Sequence, residues 1–495
     1  MWPAVQKTVL RETTKLARGP IATFASATTF AVENPYTLEP VAHVTEASSS
    51  SVLDTIDRVK KAQRYWASTT LAQRQAIATK WVDVLNDQVD EIATEITLQM
   101  GKPLAQAKGE VRGTIQRAKV MIELAEKALA PTTFPQDDAT TLFRCITKEP
   151  VGVVFVIAPW NYPMMTVVNS VLPALLAGNG VLLKHSPQTP LCGSRFQATL
   201  EAAGFPSDLL RAEQMAHSTA ATAIAHPDVQ FVSFTGSVRG GREVFRTIAD
   251  KHRFLGSTLE LGGKDALYIA ADADVAAAAA GAIDGACYNA GQSCCAVERV
   301  YVHTSLYDEF LALATSHFDA YEMGDPLHKT TTLGPMALKG SSTATLAQHV
   351  ADAVAKGGRV LTKTAAPREV QDASGHGRFF PPTLVADCTH AMRLMVDESF
   401  GPILGVMRVA SDDEAIRCMN DSAYGLTGGV FTTSHERAMA IGRQLDVGTV
   451  YMNRCDAVDP HLPWTGVKDT GKGHSLSEHG FEAVTRLKSW NMKLA

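Results

Sequence analysis

Two adjacent cysteines, Cys294 and Cys295, close a run of small and polar residues that begins at Tyr288. Small residues let the backbone turn tightly and leave a thiol accessible, and a thiolate is a strong nucleophile whose reactivity depends on its surroundings. A free cysteine is more often a small apolar core residue. Nucleophilic chemistry at this run therefore requires a base, an oxyanion donor and a cofactor site elsewhere in the chain.

Polar side chains follow two predicted buried strands, 152–158 and 180–184. Asn161 comes just after the first strand, where its amide can donate a hydrogen bond to a developing oxyanion; the alternative is a turn cap. Lys184 ends the second strand, where it can contact the hydroxyl or phosphate groups of a cofactor. A solvated strand end is the alternative for this lysine.

Two further segments combine glycines with polar groups. The turn 234–241 links a strand to a helix, and glycines bracket it, so a pyrophosphate can approach its N–H groups. It lacks the GxGxxG fingerprint and is weak evidence alone. Glu260 lies between leucines and precedes two glycines, an environment that can raise the pKa of a carboxyl group toward that of a useful base. The alternative for Glu260 is a structural ion pair with Lys264.

Strands and helices alternate through most of the chain, which predicts parallel sheets with right-handed crossovers. Ligands bind such sheets at the carboxyl ends of the strands. Helices are predicted over 54–80, 81–100 and about 105–130. The strands predicted in the second half are 299–303, 358–362, 383–386, 403–409, 429–431 and 448–452.

The length and composition exclude several classes of protein. A chain of 495 residues is too long for one hydrophobic core. The net charge of −5, without a basic block, argues against a nucleic-acid partner. The sequence contains neither a CxxC nor an HExxH pattern, so no metal site is predicted. No apolar run reaches the ~18 residues needed to span a membrane. The eight cysteines lack paired spacing, which favours a reducing compartment.

The first 30 residues differ from the rest in charge. They contain several basic residues and a single acidic one, Glu12, and are rich in Ser and Thr. This pattern is typical of a mitochondrial presequence, and the alternative is an extension without a targeting role. The compartment predicted for the protein is therefore the mitochondrial matrix or the cytoplasm, and for a bacterial source the targeting interpretation falls away.

Taken in order, these motifs resemble the NAD(P)-dependent aldehyde dehydrogenase superfamily from about Asn34 to the C-terminus. The matching segments are Met100–Pro103, Pro159–Pro163, Lys184, the Gly236/Gly241 turn, the Glu260 segment, Gly291–Cys294, Glu398–Pro402, Pro463–Lys468 and Gly471–Gly473. Each segment alone is weak, but their common order makes an accidental match implausible.

The resemblance implies an α/β fold with a Rossmann-like cofactor-binding domain, a second α/β catalytic domain and a small β ribbon for oligomerisation. The expected bounds are 1–30 for the N-terminal extension, 31–139 and 151–259 for the cofactor-binding domain, 260–478 for the catalytic domain, and 140–150 with 479–495 for the ribbon. A homodimer or homotetramer follows from the ribbon.

The resemblance also implies a role for each site residue. Cys294 is the nucleophile, Asn161 with the Cys294 N–H holds the oxyanion, and Glu260 activates the water that hydrolyses the thioester to an acid. Because Glu260 is present, hydrolysis is expected rather than transfer of the acyl group to coenzyme A. The residues expected to bind the cofactor are Trp160, Lys184, Gly236, Ser237, Gly241, Glu398 and Phe400.

Departures from the family pattern bear on cofactor and substrate. Pro187 stands where many NAD-using members carry a glutamate, so NADP is expected to be accepted alongside NAD. Asn169 and Tyr288 stand where arginines grip a carboxylate tail in succinic-semialdehyde members. Tyr288, together with Met165 and Trp464, suggests an apolar or aromatic pocket. We therefore expect a neutral aliphatic or aromatic aldehyde. The alternatives are a succinic-semialdehyde-type enzyme, a cofactor-independent esterase and a non-catalytic binding protein on the same fold.

Overall fold

Two mostly parallel sheets form the framework of the chain in the computed structural model, which describes residues 28–135, 142–251, 254–339, 341–363 and 378–494. Most of the predicted N-terminal extension, residues 1–27, lies outside the described residues. The helices are α1 (Ser49–Ala67), α2 (Leu71–Asp87), α3 (Val89–Met100), α4 (Leu104–Leu129), α5 (Val168–Leu176), α6 (Pro190–Ala203), α7 (His217–Ala225), α8 (Val238–Asp250), α9 (Val275–Cys287), α10 (Tyr307–Asp319), α11 (Ser341–Ala355), α12 (Arg393–Val396), α13 (Asp412–Asn420) and α14 (His435–Gly442).

The strands run from a short N-terminal hairpin to a long C-terminal strand. They are β1 (Thr29–Glu33), β2 (Pro40–Thr45), β3 (Thr132–Thr133), β4 (Leu142–Pro150), β5 (Val153–Ile157), β6 (Gly180–Lys184), β7 (Leu210–Ala212), β8 (Val229–Thr235), β9 (Gly256–Glu260), β10 (Asp265–Ile269), β11 (Val297–His303), β12 (Arg359–Val360), β13 (Thr383–Ala386), β14 (Ile403–Val409), β15 (Tyr424–Gly425), β16 (Thr427–Phe431), β17 (Thr449–Met452), β18 (Trp464–Thr465), β19 (Val467–Lys468), β20 (Gly471–Lys472), β21 (His474–Ser475) and β22 (Thr485–Lys493).

The first sheet has six strands in the order β20-β9-β8-β5-β6-β7, and all its pairings are parallel except that of β20 with β9. Strands β5 and β6 are buried on both faces, as expected for a parallel sheet covered by helices. Strand β20 comes from the C-terminal part of the chain. It therefore joins the predicted catalytic segment to the sheet of the cofactor-binding segment.

The second sheet has seven strands in the order β12-β13-β14-β11-β10-β16-β17. Strand β10 lies near its centre and is fully buried, yet the sequence pattern did not predict it. The strand is short and begins with the polar residue Asp265, directly after a Gly-Gly-Lys turn. Its apolar run is therefore too short to indicate a strand in the sequence. The alternation of strands and helices in this half, and hence the α/β fold class, is confirmed.

The predicted helix boundary between residues 80 and 81 is wrong, because the first two helices separate at 68–70 instead. Thr70 caps α2: its hydroxyl accepts from the Gln73 N–H at 3.2 Å, and the Gln73 side chain accepts from the Thr70 N–H at 2.8 Å. This reciprocal pair is a capping box. The boundary could have been found from the spacing of Thr70 and Gln73.

The segments predicted to form a ribbon contain β4 and β22, which belong to a three-stranded antiparallel sheet in the order β22-β4-β3. Strands β4 and β22 pair over nine residues, from Leu142–Lys493 to Pro150–Thr485. Several apolar side chains of β22 are exposed, including Leu487 and Trp490. Separately, among the described residues no helix is both long and apolar enough to cross a membrane.

The two large sheets present opposite ends to the candidate site. In the first sheet the site residues follow their strands, as Lys184 ends β6 and Glu260 ends β9. In the second sheet they precede them, as Cys294 comes just before β11 and Glu398 before β14. The carboxyl-end rule therefore located the site residues of the first sheet but not those of the second.

Candidate active site

A cavity of about 340 Å³ lies where the two sheets meet, and both Cys294 and Glu260 line it. Tyr288, Met165 and Trp464, the residues from which an apolar pocket was predicted, also line the cavity. The predicted nucleophile and base thus line the same cavity. Asn161 is not part of the lining, although its neighbour Tyr162 is.

The turn before Cys294 is held in an unusual backbone conformation. Asn289, Ala290 and Gly291 all have positive φ angles, of 54°, 54° and 68°, a region that non-glycine residues rarely adopt. The Asn289 side-chain amide donates to the Gln292 carbonyl at 3.0 Å and to the Asn161 carbonyl at 3.1 Å. This one side chain therefore fixes the turn and ties it to the loop that carries Asn161.

The two cysteines occupy different environments. Cys294 is partly exposed toward the cavity, whereas Cys295 is 5% exposed. The Cys295 thiol donates to the Asp456 carboxylate at 2.8 Å. Its hydrogen bond with Cys294, together with burial, raises the pKa of Cys295 well above its usual value. Cys295 therefore stays protonated near neutral pH, and Cys294 is the thiol that is open to a substrate.

Asn161 is buried, and its backbone is held from two sides. Its carbonyl accepts from the Lys102 ammonium at 2.8 Å and from the Asn289 amide at 3.1 Å. Its side-chain amide makes no hydrogen bond to any of the residues that the structure describes. The turn-cap alternative is therefore wrong, and the amide is left with its donors uncommitted.

Glu260 ends β9 and accepts hydrogen bonds from two hydroxyl groups, Ser475 at 2.5 Å and Thr235 at 3.2 Å. The ion pair considered for it is wrong, because Lys264 pairs with Glu298 instead. Burial raises the pKa of Glu260, while the two hydroxyl donors oppose part of that rise. Glu260 therefore lines the cavity with a pKa above the usual value for a glutamate.

Beside the cavity, glycines line the turn between β8 and α8. The Gly236 N–H donates to the Glu260 carbonyl at 3.0 Å, so this turn lies next to the base. A side chain at Gly241 would place its Cβ 2.4 Å from a methyl group of Leu261, so a larger residue would require the Leu261 side chain to move. The Ser237 hydroxyl caps α8 by accepting from the Gly240 N–H at 3.1 Å. The turn thus lies at the amino end of a 13-residue helix, where backbone N–H groups can bind an anionic group.

Lys184 is only 4% exposed, so the solvated strand end is wrong for this residue. Its ammonium makes one long hydrogen bond, 3.4 Å to the neighbouring His185 carbonyl. Burial lowers the pKa of Lys184. A buried ammonium with such weak pairing fits a site for an anionic or hydroxyl-rich group.

Glu398 and Phe400, which precede β14, contact segments that follow strands of the first sheet. The Glu398 carboxylate accepts from the Gly263 N–H at 2.9 Å. Burial, followed by the negative charge of Glu298, raises the pKa of Glu398 to about 7. The Phe400 ring meets Trp160 edge to face with 5.6 Å between centroids. The seven predicted cofactor residues thus lie at the ends of β5, β6 and β8, in the first turn of α8, and just before β14.

Comparison with known proteins agrees with this geometry. Residues 23–490 match the model of the aldehyde dehydrogenase family. The chain belongs to the aldehyde dehydrogenase family. It is 36% identical to a succinate-semialdehyde dehydrogenase [NADP(+)] of Deinococcus radiodurans over 93% of this chain and 94% of that one. It is 34% identical to a 3,6-anhydro-alpha-L-galactose dehydrogenase of Streptomyces coelicolor over 93% and 92%.

A solved structure gives the same result. The crystal structure of succinate-semialdehyde dehydrogenase from Burkholderia pseudomallei superposes with a TM-score of 0.88 at 30% identity, covering 94% of this chain and 95% of that one. The aldehyde dehydrogenase is thus an oxidoreductase that uses NAD(P) to oxidise an aldehyde. The glycine turn, the weakly paired Lys184 and the Glu398 carboxylate fit such a dinucleotide.

The sequence did not point to two charged residues of the aldehyde dehydrogenase cavity. Arg117 on α4 is 7% exposed and lines the cavity. Its Nη1 donates to the Met165 carbonyl at 2.9 Å and to the Asn169 side chain at 3.2 Å. Among the described residues its guanidinium has no ion-pair partner. A buried guanidinium without a counter-ion is costly, so its presence beside the cavity needs an explanation.

Asp456 is the second such residue, and it lines the cavity in a strained backbone conformation with φ of 43°. Burial raises the pKa of Asp456 to about 7. Near neutral pH a large fraction of this carboxyl group is protonated and uncharged. Its hydrogen bond from Cys295 places it against the nucleophile turn.

Proposed function

We propose that this aldehyde dehydrogenase oxidises a short aldehyde with a carboxylate at its far end, as in succinate semialdehyde. Cys294 acts as the nucleophile, Asn161 and the Cys294 N–H hold the oxyanion, and Glu260 is the base for hydrolysis. The observation that carries the proposal is the buried, unpaired Arg117 in the cavity that Cys294 lines.

The residues of the chain support each chemical step in turn. The Cys294 thiolate adds to the carbonyl carbon, and the oxygen, now negative, accepts hydrogen bonds from the Asn161 amide and the Cys294 N–H. The bound nicotinamide supplies the hydride acceptor. Glu260 then takes a proton from a water molecule, which attacks the resulting thioester at Cys294 and releases the acid.

The cofactor would be held between the two sheets, at a site that we call the groove. Lys184 would contact the adenosine ribose, Glu398 would accept a hydrogen bond from the nicotinamide ribose, and Phe400 would pack near the ring. The other residues that would hold the cofactor are Trp160, Gly236, Ser237 and Gly241. Pro187 lies in an exposed turn after β6 and offers no carboxylate to repel a 2′-phosphate. NADP is therefore accepted alongside NAD, which agrees with the cofactor in the name of the Deinococcus relative.

The more specific part of the proposal is that the far end of the substrate carries a carboxylate. Neutral and carboxylate-tailed aldehydes both belong to the class that the family oxidises. The expectation of a neutral aldehyde rested on Asn169 and Tyr288, which carry no positive charge. Arg117 supplies the missing charge from a different helix, with Asn169 as its hydrogen-bond partner. The succinate-semialdehyde names of relatives support the same choice.

A panel of aldehydes with both cofactors tests the function. We expect the highest kcat/KM for succinate semialdehyde, lower values for hexanal and benzaldehyde, and rates with NADP within about a hundredfold of those with NAD or above them. The readout is absorbance of the reduced nicotinamide. A neutral aldehyde with the highest kcat/KM would overturn the carboxylate assignment, and no reduction with any aldehyde would overturn the oxidation itself.

Arg117→Gln tests the tail contact. Because a hydrogen bond to a charged group contributes about 1.5–3 kcal/mol, we expect KM for succinate semialdehyde to rise about 10- to 100-fold. KM for hexanal should change little. Arg112→Gln is the matched control, since Arg112 is exposed on the same helix and does not line the cavity. Equal effects of Arg117→Gln on both aldehydes would contradict a tail-specific role.

Assembly and compartment complete the proposal. The ribbon strand β22 exposes Leu487, Trp490 and Met492 along a sheet edge, and such edges are normally covered. A homodimer or homotetramer that pairs ribbons would cover it, and light scattering measures the copy number. All eight cysteines are free, which supports a reducing compartment, either the cytoplasm or the mitochondrial matrix.

A further inference from the structure

The segment that carries Glu398 and Phe400 is attached to the second sheet through a buried carboxylate. Glu298, near the start of β11, accepts from the Phe400 N–H through Oε1 and from the Ser399 N–H through Oε2, both at 2.8 Å. Glu298 is 2% exposed. One side chain therefore satisfies two consecutive backbone donors of a loop and fixes its orientation.

Lys264 completes the arrangement from the neighbouring strand. Its ammonium, 1% exposed, donates to Glu298 Oε2 at 2.5 Å and to the Ser399 hydroxyl at 3.2 Å. The Ser399 hydroxyl also lies 3.2 Å from His349 Nδ1. The loop is thus held at its backbone and at a side chain. We call the pair Lys264–Glu298 the loop clamp.

The loop clamp is joined to the nucleophile and to the Glu398 carboxylate through two glycines that precede Lys264. A Cβ at Gly263 would lie 2.0 Å from the Cys294 carbonyl oxygen, so the two backbones are in direct contact. A Cβ at Gly262 would lie 2.6 Å from Glu398 Oε1. The segment that leads into Lys264 therefore packs against the Glu398 carboxylate through Gly262, and against the backbone of Cys294, not its thiol, through Gly263.

Stability alone does not account for the loop clamp. Burying two charges is costly, and well-packed apolar residues often stabilise a core equally well. Phe400 also holds a φ of 54°, a strained conformation for an aromatic residue that persists only where neighbouring contacts impose it. The contacts that impose it here are the hydrogen bonds from its own N–H and that of Ser399 to Glu298.

We infer that the loop clamp is a positioning device for the cofactor: Lys264 and Glu298 set the nicotinamide end of the groove against Cys294 by fixing Glu398 and Phe400. Neither residue lines the cavity that Cys294 shares with Glu260, so neither is a catalytic residue. The inference rests on the proposed cofactor roles of Glu398 and Phe400. It predicts that cofactor binding depends on the loop clamp while the reactivity of the thiol does not.

Glu298→Asp is the main test, since it keeps the charge opposite Lys264 but is one methylene too short to reach both N–H groups. We expect its Kd for NADPH, measured by NADPH fluorescence, to rise about tenfold, as for the loss of one hydrogen bond to a charged group. Hydrolysis of 4-nitrophenyl acetate without cofactor, which reports on the thiol, should stay within about twofold of the parent. KM for the cofactor should rise more than kcat falls.

Two further variants accompany Glu298→Asp: one replaces it if it does not fold, and the other is a control. The neutral pair Lys264→Met with Glu298→Gln replaces both charges without leaving one unpaired, and serves if Glu298→Asp does not fold. Arg437→Gln is the control. It also removes ion pairs, those of Arg437 with Asp272 and Asp412, but these residues do not line the cavity. It should leave NADPH binding unchanged.

Glu398→Gln separates the inference from the proposed function. If Glu398→Gln weakens NADPH binding and the folded loop-clamp variants do not, the loop clamp is not a positioning device, while the cofactor role of Glu398 stands. If none of these variants changes the Kd, the role of Glu398 is itself wrong and the inference falls with it. Equal losses of ester hydrolysis and NADPH binding would show a general structural role and would also overturn the inference.

Discussion

Replacing Cys294 with serine is expected to lower aldehyde-dependent reduction of NADP at least about a thousandfold, the scale seen when a nucleophile is removed. A serine hydroxyl is a poor nucleophile unless an adjacent base takes its proton. Among the described residues that line the cavity around Cys294, none is a histidine that could take this proton. The rate of nicotinamide reduction with succinate semialdehyde measures the effect.

Cys295→Ser is the matched control, and it should retain most of the parent activity. The Cys295 thiol is buried and protonated, and it donates a hydrogen bond to Asp456. A serine hydroxyl can donate to the same carboxylate. If Cys295→Ser were inactive and Cys294→Ser active, the two thiols would have to exchange roles. Cys295 also lines the cavity, although only 5% of it is exposed.

Motifs at the ends of strands account for most of what the sequence predicted. Parallel strands place their carboxyl ends along one edge, so the positions of Asn161, Lys184 and Glu260 after their strands predict that these residues lie near one another. The ordered series of segments supplied the remaining members, Cys294 and Glu398, through resemblance. The roles of all these residues stay predictions until the variants are measured, whereas the fold and the family are confirmed.

The charged residues of the cavity could not be predicted in the same way. Arg117 belongs to a 26-residue helix that carries basic residues on its exposed side as well, so its residue type says nothing about which way it points. Asp456 lies in a loop, and its raised pKa arises from burial. Burial in a loop is a tertiary property that neither periodicity nor spacing encodes.

The loop clamp was missed for a related reason. Lys264 lies four residues after Glu260, and proximity in sequence suggested that the two pair. Strand β10 begins directly after Lys264, and its neighbour in the sheet is β11, so the nearest carboxylate in space is Glu298. Because β10 itself was not predicted, the register that brings Lys264 and Glu298 together could not be predicted either.

Glu260→Gln is expected to separate the two halves of the reaction. Formation of the thioester needs the Cys294 thiolate and the hydride acceptor but no water, so the first turnover should remain fast. Hydrolysis loses its base, and steady-state turnover should fall about 10²- to 10⁴-fold, the usual range for general base catalysis. Stopped-flow absorbance would then show a stoichiometric burst of reduced nicotinamide followed by a slow phase.

The pH dependence gives the base assignment a second, independent test. Burial raises the pKa of Glu260, so at low pH the carboxyl group is protonated and cannot accept the proton of water. Hydrolysis should therefore rise as pH rises through this pKa, and Glu260→Gln should abolish that rise. Because the Ser475 hydroxyl favours the ionised form, Ser475→Ala should raise the pKa of Glu260 further and move the profile to higher pH. A profile that Ser475→Ala leaves in place, together with parent turnover in Glu260→Gln, would assign the base to another residue of the cavity, and Asp456 would be the next to replace.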